Sequence, residues 1–151
     1  MVASDTSSPG GGSGEDRAVF VDANVFLRYL TNDVPARAAA VEELFLRAAQ
    51  GKVRLVTNAM VIAELVWVLE SHYRLDRAGV LERTLAVAHM DGLALSDIDL
   101  LTDAMFLYES AKIDFIDAYN ACWMKRHALR YAVTFDEKHF SRVDWVTVEP
   151  L

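Results

Sequence analysis

Residues 18 to 24 read Ala-Val-Phe-Val-Asp-Ala-Asn, a short apolar run that stops at an acidic residue. Such a run, bounded by polar residues, is typical of a strand buried in a parallel sheet. It predicts a first strand over residues 18 to 21, with Asp22 and Asn24 at its carboxyl end. Functional groups gather at that end of open parallel sheets, so this stretch points to a fold class and to a candidate site together.

The rest of the chain alternates short β-rich segments with longer helical ones. This pattern predicts an α/β domain in which helices flank a mainly parallel central sheet. Further strands are predicted over residues 53 to 56, 131 to 134 and 145 to 148, the last two completing the sheet around a turn that holds residues 135 to 140. Helices are predicted over residues 26 to 30, 35 to 50, 58 to 72, 76 to 89, 96 to 107 and 114 to 129. Predicted helix caps are, in chain order, Asp33 ahead of Pro35, Thr57 or Asn58, a capping box of Ser96 and Asp99, and Asp114.

Composition limits the possible classes of protein. A chain of 151 residues with 53% hydrophobic content suits one domain with an ample core. The net charge of -7, from 15 basic and 22 acidic residues, argues against a broad basic surface for nucleic acid, but it leaves room for a nuclease with local basic patches. The single cysteine, Cys122, excludes an internal disulfide and is expected to be a small buried hydrophobe.

The first 17 residues are rich in Ser, Gly, Asp and Pro and contain no segment like a signal peptide. We expect a disordered tail or linker over residues 1 to 17 and one domain over residues 18 to 151. No segment has the roughly 18 consecutive apolar residues that would span a bilayer. The protein is therefore expected in the cytoplasm, with no membrane partner.

Five acidic residues lie against or inside apolar segments, where an ordinary surface role explains them poorly. They are Asp22, Glu64, Asp114, Asp117 and Asp136. Clustered carboxylates repel each other unless a cation neutralises them. Oxygen ligands without cysteine or an evident histidine partner favour Mg²⁺ or Mn²⁺, and metal-dependent phosphodiester hydrolysis is the natural reaction of such a site.

Most of these acids also have a structural interpretation. Asp22 and Asp136 suit turns, Asp114 suits an N-cap, and Asp117 suits the first turn of a helix. Glu64 is the clearest functional candidate, because apolar residues surround it on its predicted helix. The four histidines show no paired ligand spacing, so surface or boundary roles are expected for them.

Four segments of the chain, in order, resemble PIN-domain ribonucleases, and among these the VapC-type toxins of toxin–antitoxin modules. They are Val-Asp-Ala-Asn-Val at residues 21 to 25, Glu-Leu-Val-Trp-Val-Leu at 64 to 69, Asp-Phe-Ile-Asp-Ala at 114 to 118 and Val-Thr-Phe-Asp-Glu-Lys-His-Phe at 133 to 140. The resemblance extends from about residue 18 to residue 150. It implies a PIN-like fold and an endoribonuclease.

The resemblance also implies a role for individual residues and partners. Asp22, Glu64 and Asp117 would be the core acids of a Mg²⁺ or Mn²⁺ site, Asp136 a fourth and more variable one, Asn24 and Thr134 polar supports, and Asp114 an acid of lower rank. RNA would be the substrate, a cognate antitoxin would block the site, and two copies would form a homodimer through helices. An acidic nuclease must overcome repulsion from RNA, so its groove is expected to carry clustered Arg and Lys.

Two other classes of protein remain as alternatives. One is a catalytically inactive PIN-fold domain that binds RNA or acts as a scaffold, which the intact set of acids disfavours. The other is a phosphatase or a receiver-like domain. Asp22-Ala23-Asn24 lacks the second acid of a paired-aspartate phosphatase motif, and no Lys stands at a suitable strand end.

Overall fold

Three short parallel strands form the central sheet of a computed structural model, which describes residues 17–151. They are β1 (Ala18–Phe20), β2 (Arg54–Thr57) and β3 (Leu93–Leu95), in the order β1-β2-β3. Leu55 in the middle strand pairs with Val19 on one side and Leu93 on the other, and its side chain is fully buried. The predicted α/β fold with a parallel sheet is confirmed.

Helices pack around this sheet. The six long ones are α1 (Ala23–Thr31), α2 (Pro35–Ala49), α3 (Ala59–Ser71), α4 (Arg77–Ala88), α5 (Ile98–Ala111) and α6 (Phe115–Arg126). The most apolar of them, α3, contacts α1, α4 and α6 and buries Ile62, Leu65 and Leu69 completely. This helix therefore lies at the centre of the core.

The predicted starts of α2 and α3 are confirmed, but only one of their predicted caps is. Asn58 caps α3 as predicted, because its side-chain oxygen accepts a hydrogen bond from the amide of Val61 at 3.1 Å. Helix α2 begins at Pro35, also as predicted, but Asp33 does not cap it. Val34 occupies the cap position, and the Asp33 carboxylate forms an ion pair with Arg28 instead.

The predicted capping box of Ser96 and Asp99 is wrong. Helix α5 is preceded by Asp97, which has a left-handed backbone (φ 54°) and makes no side-chain cap hydrogen bond. The helix also continues to Ala111, beyond the predicted end at Leu107. Burial of Tyr108 in the core explains the extension, since it gives the extra turn tertiary contacts.

The prediction for the last two strands is only partly right. β4 (Tyr131–Ala132) and β5 (Thr147–Val148) are parallel, but they pair with each other in a separate sheet instead of completing the central one. Each strand is two residues long. Val133, the residue after β4, is 59% exposed, so packing against the core does not extend β4 into the predicted residues 133 and 134. The segment between them, predicted as a turn, contains the short helix α7 (Glu137–Phe140).

One polar network joins α3, α4 and α5. The Tyr108 hydroxyl donates a hydrogen bond to Glu70, and the Arg77 guanidinium lies over the Tyr108 ring, 4.6 Å from its centroid. Arg77 also donates to the backbone carbonyls of Tyr108 at 3.0 Å and Ile113 at 2.6 Å. Burial and the hydrogen bond to Glu70 raise the pKa of Tyr108 far above its usual range, so this phenol remains a donor.

Three remaining predictions concern the tail, the membrane and Cys122. Residues 1 to 16 lie outside the described residues, so the tail stays a prediction. Within residues 17–151, no helix combines the length and the apolar character required to cross a bilayer. Cys122 is buried as predicted, and burial raises the pKa of its thiol to about 11.

Gly92 is the glycine whose replacement we expect to damage the fold most. It has φ +81°, and an added Cβ would lie 2.4 Å from the carbonyl oxygen of Ala48. Gly51 is a matched control, because it has φ +73° but open space around the same position. In urea denaturation, Gly51→Ala should cost about 1 to 2 kcal/mol of unfolding free energy for the left-handed backbone alone. Gly92→Ala should cost a further 1 to 3 kcal/mol for the clash, and equal losses would contradict this interpretation.

Candidate metal centre

Backbone and side-chain hydrogen bonds fix Asp22 at the carboxyl end of β1. The Val21 amide donates to the carbonyl of Val56 at 2.8 Å, and the buried hydroxyl of Thr57 donates to the carbonyl of Val21 at 2.9 Å. Asp22 then caps α1, where its Oδ1 accepts from the amide of Ala23 at 2.9 Å. The carboxylate is exposed at the edge of the sheet, where the sequence predicted it.

Glu64 lies on the solvent-facing side of α3. Met60 and Trp67, one turn before and one turn after it, are 74% and 66% exposed. The apolar residues next to Glu64 are therefore divided, because Val61 and Leu65 enter the core while Met60 and Trp67 remain at the surface. We call Met60, Glu64 and Trp67 the outer face of α3.

Three of the predicted acids converge on one histidine. Nδ1 of His139 lies 2.7 Å from Oδ2 of Asp117, 3.2 Å from Oδ2 of Asp136 and 3.8 Å from Oδ2 of Asp114. The side chains of His139 and Asp117 are only 17% and 20% exposed. The convergence brings together α6, α7 and the residue that precedes α6.

Asp114 does not have the capping role that the sequence suggested. It occupies the N-cap position of α6, with φ -66° and ψ 150°, but its side chain makes no cap hydrogen bond. The carboxylate is directed toward His139 instead, and it remains 68% exposed. Helix capping therefore does not explain this acid, whose carboxylate lies near Asp117 and His139 instead.

The two predicted polar supports lie in different places. The Thr134 hydroxyl accepts a hydrogen bond from the amide of Asp136 at 2.9 Å, which orients the backbone at that acid. Asn24 lines a groove of about 350 Å³ between α1 and α2, together with Arg28 and Arg37. Thr134 therefore contacts the backbone of Asp136, whereas Asn24 lines a groove two residues along the chain from Asp22.

The chemistry of the convergent groups suits a divalent cation. Within residues 17–151, one set of at least three Asp, Glu, His or Cys ligand atoms lies within 4.8 Å of one another, and it consists of Asp114, Asp117 and His139. Carboxylate oxygens and an imidazole nitrogen are common ligands of such ions. Asp22, Glu64 and Asp136 are outside this compact set, so their direct contact with an ion stays a prediction.

The sequence did not reveal the position of His139. Its neighbours on α7 were expected to form a turn, in which residues three apart have no fixed relation. On a helical turn, residues at i and i+3 share a face, so Asp136 and His139 point the same way. The available signal in the sequence was the i, i+3 spacing of Asp136 and His139. This spacing is informative only if residues 137 to 140 are recognised as a helix.

Two arginines anchor the loop that carries Asp114. Arg77 donates to the carbonyl of Ile113, as described above, and Arg142 donates to the carbonyl of Lys112 at 2.8 Å. The loop connects α5 to α6 and includes Lys112 in a left-handed conformation (φ 56°). Its position, and hence that of Asp114, depends on these hydrogen bonds.

Loss of Arg77 should destabilise this corner of the fold. Arg77→Leu keeps much of the apolar side chain but leaves two carbonyls without their donor. We expect a loss of about 1.5 to 3 kcal/mol in unfolding free energy, measured by urea denaturation. Arg83→Leu is the matched control, because Arg83 is also on α4 but donates within its own helix, to Gly79 at 3.2 Å. A control variant as unstable as Arg77→Leu would contradict the role of the loop contacts.

Comparison with known proteins identifies a family and a relative. The PIN domain family matches residues 19–146. A protein described as VapC ribonuclease, from Aquifex aeolicus (strain VF5), is 23% identical over 130 residues, which cover 86% of this chain and 95% of the relative.

Proposed function

The chain belongs to the PIN-domain family, and from this membership we propose that it is a metal-dependent endoribonuclease of the VapC type. Its role would be that of the toxin in a type II toxin–antitoxin pair, hydrolysing RNA phosphodiester bonds. The observation that carries the proposal is the convergence of Asp114, Asp117 and Asp136 within 4 Å of one imidazole nitrogen. So many carboxylates at one place are expected where a cation is bound.

The acids would bind a Mg²⁺ or Mn²⁺ ion. Asp22, Glu64, Asp117 and Asp136 are the proposed ligands, with Asp114, Asn24 and Thr134 in support. When bound, such an ion would supply Lewis acidity, which lowers the pKa of a bound water and offsets negative charge on the phosphodiester. The carboxylates would hold the ion, and Thr134 orients the backbone at Asp136. In the hydrolysis, the oxygen of water would form a bond to phosphorus as the bond from phosphorus to the leaving oxygen breaks, and the water would lose one proton while the leaving oxygen gains one.

RNA must approach a protein with a net charge of -7. The groove between α1 and α2 supplies local positive charge, because Arg28 and Arg37 line it beside Asn24. Asn24 is two residues from Asp22, so this groove opens near a proposed catalytic acid. We propose that Arg37 and Arg28 contact phosphates there, although Arg28 also pairs with Asp33.

Cleavage of RNA tests the proposal directly. Wild type, Asp22→Asn and Asp117→Asn are incubated with a pool of structured cellular RNAs in Mg²⁺, in Mn²⁺ and in chelator. Each substitution keeps the shape of the side chain but removes its charge, so we expect cleavage to fall by roughly 100-fold or more. Glu43→Gln, on the exposed surface of α2, is the control and should cut like wild type.

Activity of the purified protein that survives chelator, or that is equal in wild type, Asp22→Asn and Asp117→Asn, would contradict the proposal. Calorimetry with Mn²⁺ separates the remaining outcomes. Folded wild type that neither cuts RNA nor binds Mn²⁺ would favour the inactive RNA-binding or scaffold domain.

The outer face of α3 is the proposed binding surface for a protein partner that inhibits the enzyme. Glu64 is flanked there by two large exposed apolar side chains, Met60 and Trp67. Apolar side chains grouped at a surface are typical of interaction sites. We propose that the antitoxin binds this face, because a partner that buries Met60 and Trp67 also covers the carboxylate between them.

A homodimer is the second proposed assembly. Exposed apolar residues on α5 and α6, namely Phe106, Ile116 and Trp123, offer a helical surface for it. Light scattering coupled to size exclusion should give about twice the monomer mass of 16.9 kDa. A mass of one chain at every concentration up to about 0.1 mM, which is well above the Kd of a stable dimer, would contradict it.

A further inference from the structure

His139 is more buried than an ordinary surface histidine. Its side chain is only 17% exposed, although α7 contributes Phe140 and not His139 to the hydrophobic core. The ring is held among acids instead, with Nδ1 nearest to Asp117 at 2.7 Å. The environment of the imidazole is therefore the proposed metal site itself.

The spacing of the donor atoms suits a shared ion. Atoms bound at about 2.1 Å to an octahedral cation lie about 3.0 Å apart in neighbouring positions and about 4.2 Å apart in opposite positions. Nδ1 of His139 lies 2.7 Å from the oxygen of Asp117 and 3.8 Å from that of Asp114. Small side-chain rotations would bring these separations to the values that coordination requires.

We propose that His139 is a ligand of the catalytic ion and supplies one nitrogen through Nδ1, beside Asp117 and Asp114. The inference rests on the metal-dependent function proposed above and adds to it the identity of the ion. Imidazole suits transition metals, whereas Mg²⁺ is bound by oxygen ligands. A site with His139 in it selects Mn²⁺ over Mg²⁺, which a site made only of carboxylates does to a smaller degree.

A positioning role is the competing explanation for the same contacts. In that case, the Nδ1 hydrogen of His139 would orient the Asp117 carboxylate, and no nitrogen would touch the ion. Metal-binding histidines are often oriented by carboxylates, so proximity does not separate the two roles. Spectroscopy of the bound ion does, because only a ligand nitrogen couples strongly to it.

Pulsed electron paramagnetic resonance of the untagged full chain with bound Mn²⁺ provides the test. We expect nitrogen modulation from wild type that shifts when histidine is labelled with ¹⁵N. His139→Gln should lose the modulation, whereas His127→Gln should retain it, because His127 contacts the Trp123 carbonyl and pairs with no acid among residues 17–151. By calorimetry, the ratio of the Mg²⁺ Kd to the Mn²⁺ Kd should fall about tenfold in His139→Gln only.

The outcomes separate this inference from the proposed function. Mn²⁺ that binds wild type without histidine nitrogen coupling would overturn the ligand role and leave the nuclease proposal standing. Wild type that binds no Mn²⁺ would overturn both. If His139→Gln fails to fold, His72→Gln, His89→Gln and His127→Gln decide the matter, because a nitrogen modulation that all three retain belongs to His139, and one that any of them loses overturns its ligand role.

Discussion

The hydrogen bonds of Arg77 are the interaction on which the geometry of the candidate site depends. Arg77 reaches from α4 to the carbonyls of Tyr108 and Ile113, and Tyr108 in turn donates to Glu70 on α3. The network thereby links α3, which carries Glu64, to the loop that leads into α6. Because the donor is always charged and the acceptors are fixed backbone atoms, it sets the distance between these helices with little freedom. The network thereby connects residues that are far apart in the sequence, and Arg77 fixes the carbonyl next to Asp114.

Much of the fold was predictable, because local signals determine it. The apolar run ending at Asp22 predicted β1, and Asn58 predicted the start of α3; both were confirmed. The errors lie where tertiary contacts decide. Asp33 could cap α2 but forms an ion pair with Arg28. Residues 131 to 134 have a strand-like composition, but the strand β4 contains only Tyr131 and Ala132. Secondary-structure propensity describes an isolated segment, whereas contacts with neighbouring elements determine the structure of these two segments.

The candidate site was predictable only in part. The choice of acids followed from charge placed in apolar segments, and Asp117 and Asp136 are indeed close in space through His139. The contact between His139 and these acids was missed, because the i, i+3 spacing of Asp136 and His139 is informative only in a helix and the segment was predicted as a turn. Asp114 was expected to cap α6, but its side chain makes no cap hydrogen bond and lies near His139 instead. A residue that satisfies a local rule can still be used elsewhere, and the side-chain direction that decides this is not encoded in local spacing.

The outer face of α3 places a proposed catalytic acid, Glu64, between the proposed antitoxin contacts Met60 and Trp67. If Glu64 binds the catalytic ion as proposed, its identity is restricted, whereas the exposed side chains of Met60 and Trp67 would only need to fit a partner. If the antitoxin binds there, discrimination between the correct partner and a foreign one depends on the shape of two apolar side chains and on nothing in the reaction. New pairings can then evolve by reshaping Met60 and Trp67 together with the partner, while the enzyme keeps its catalytic power throughout.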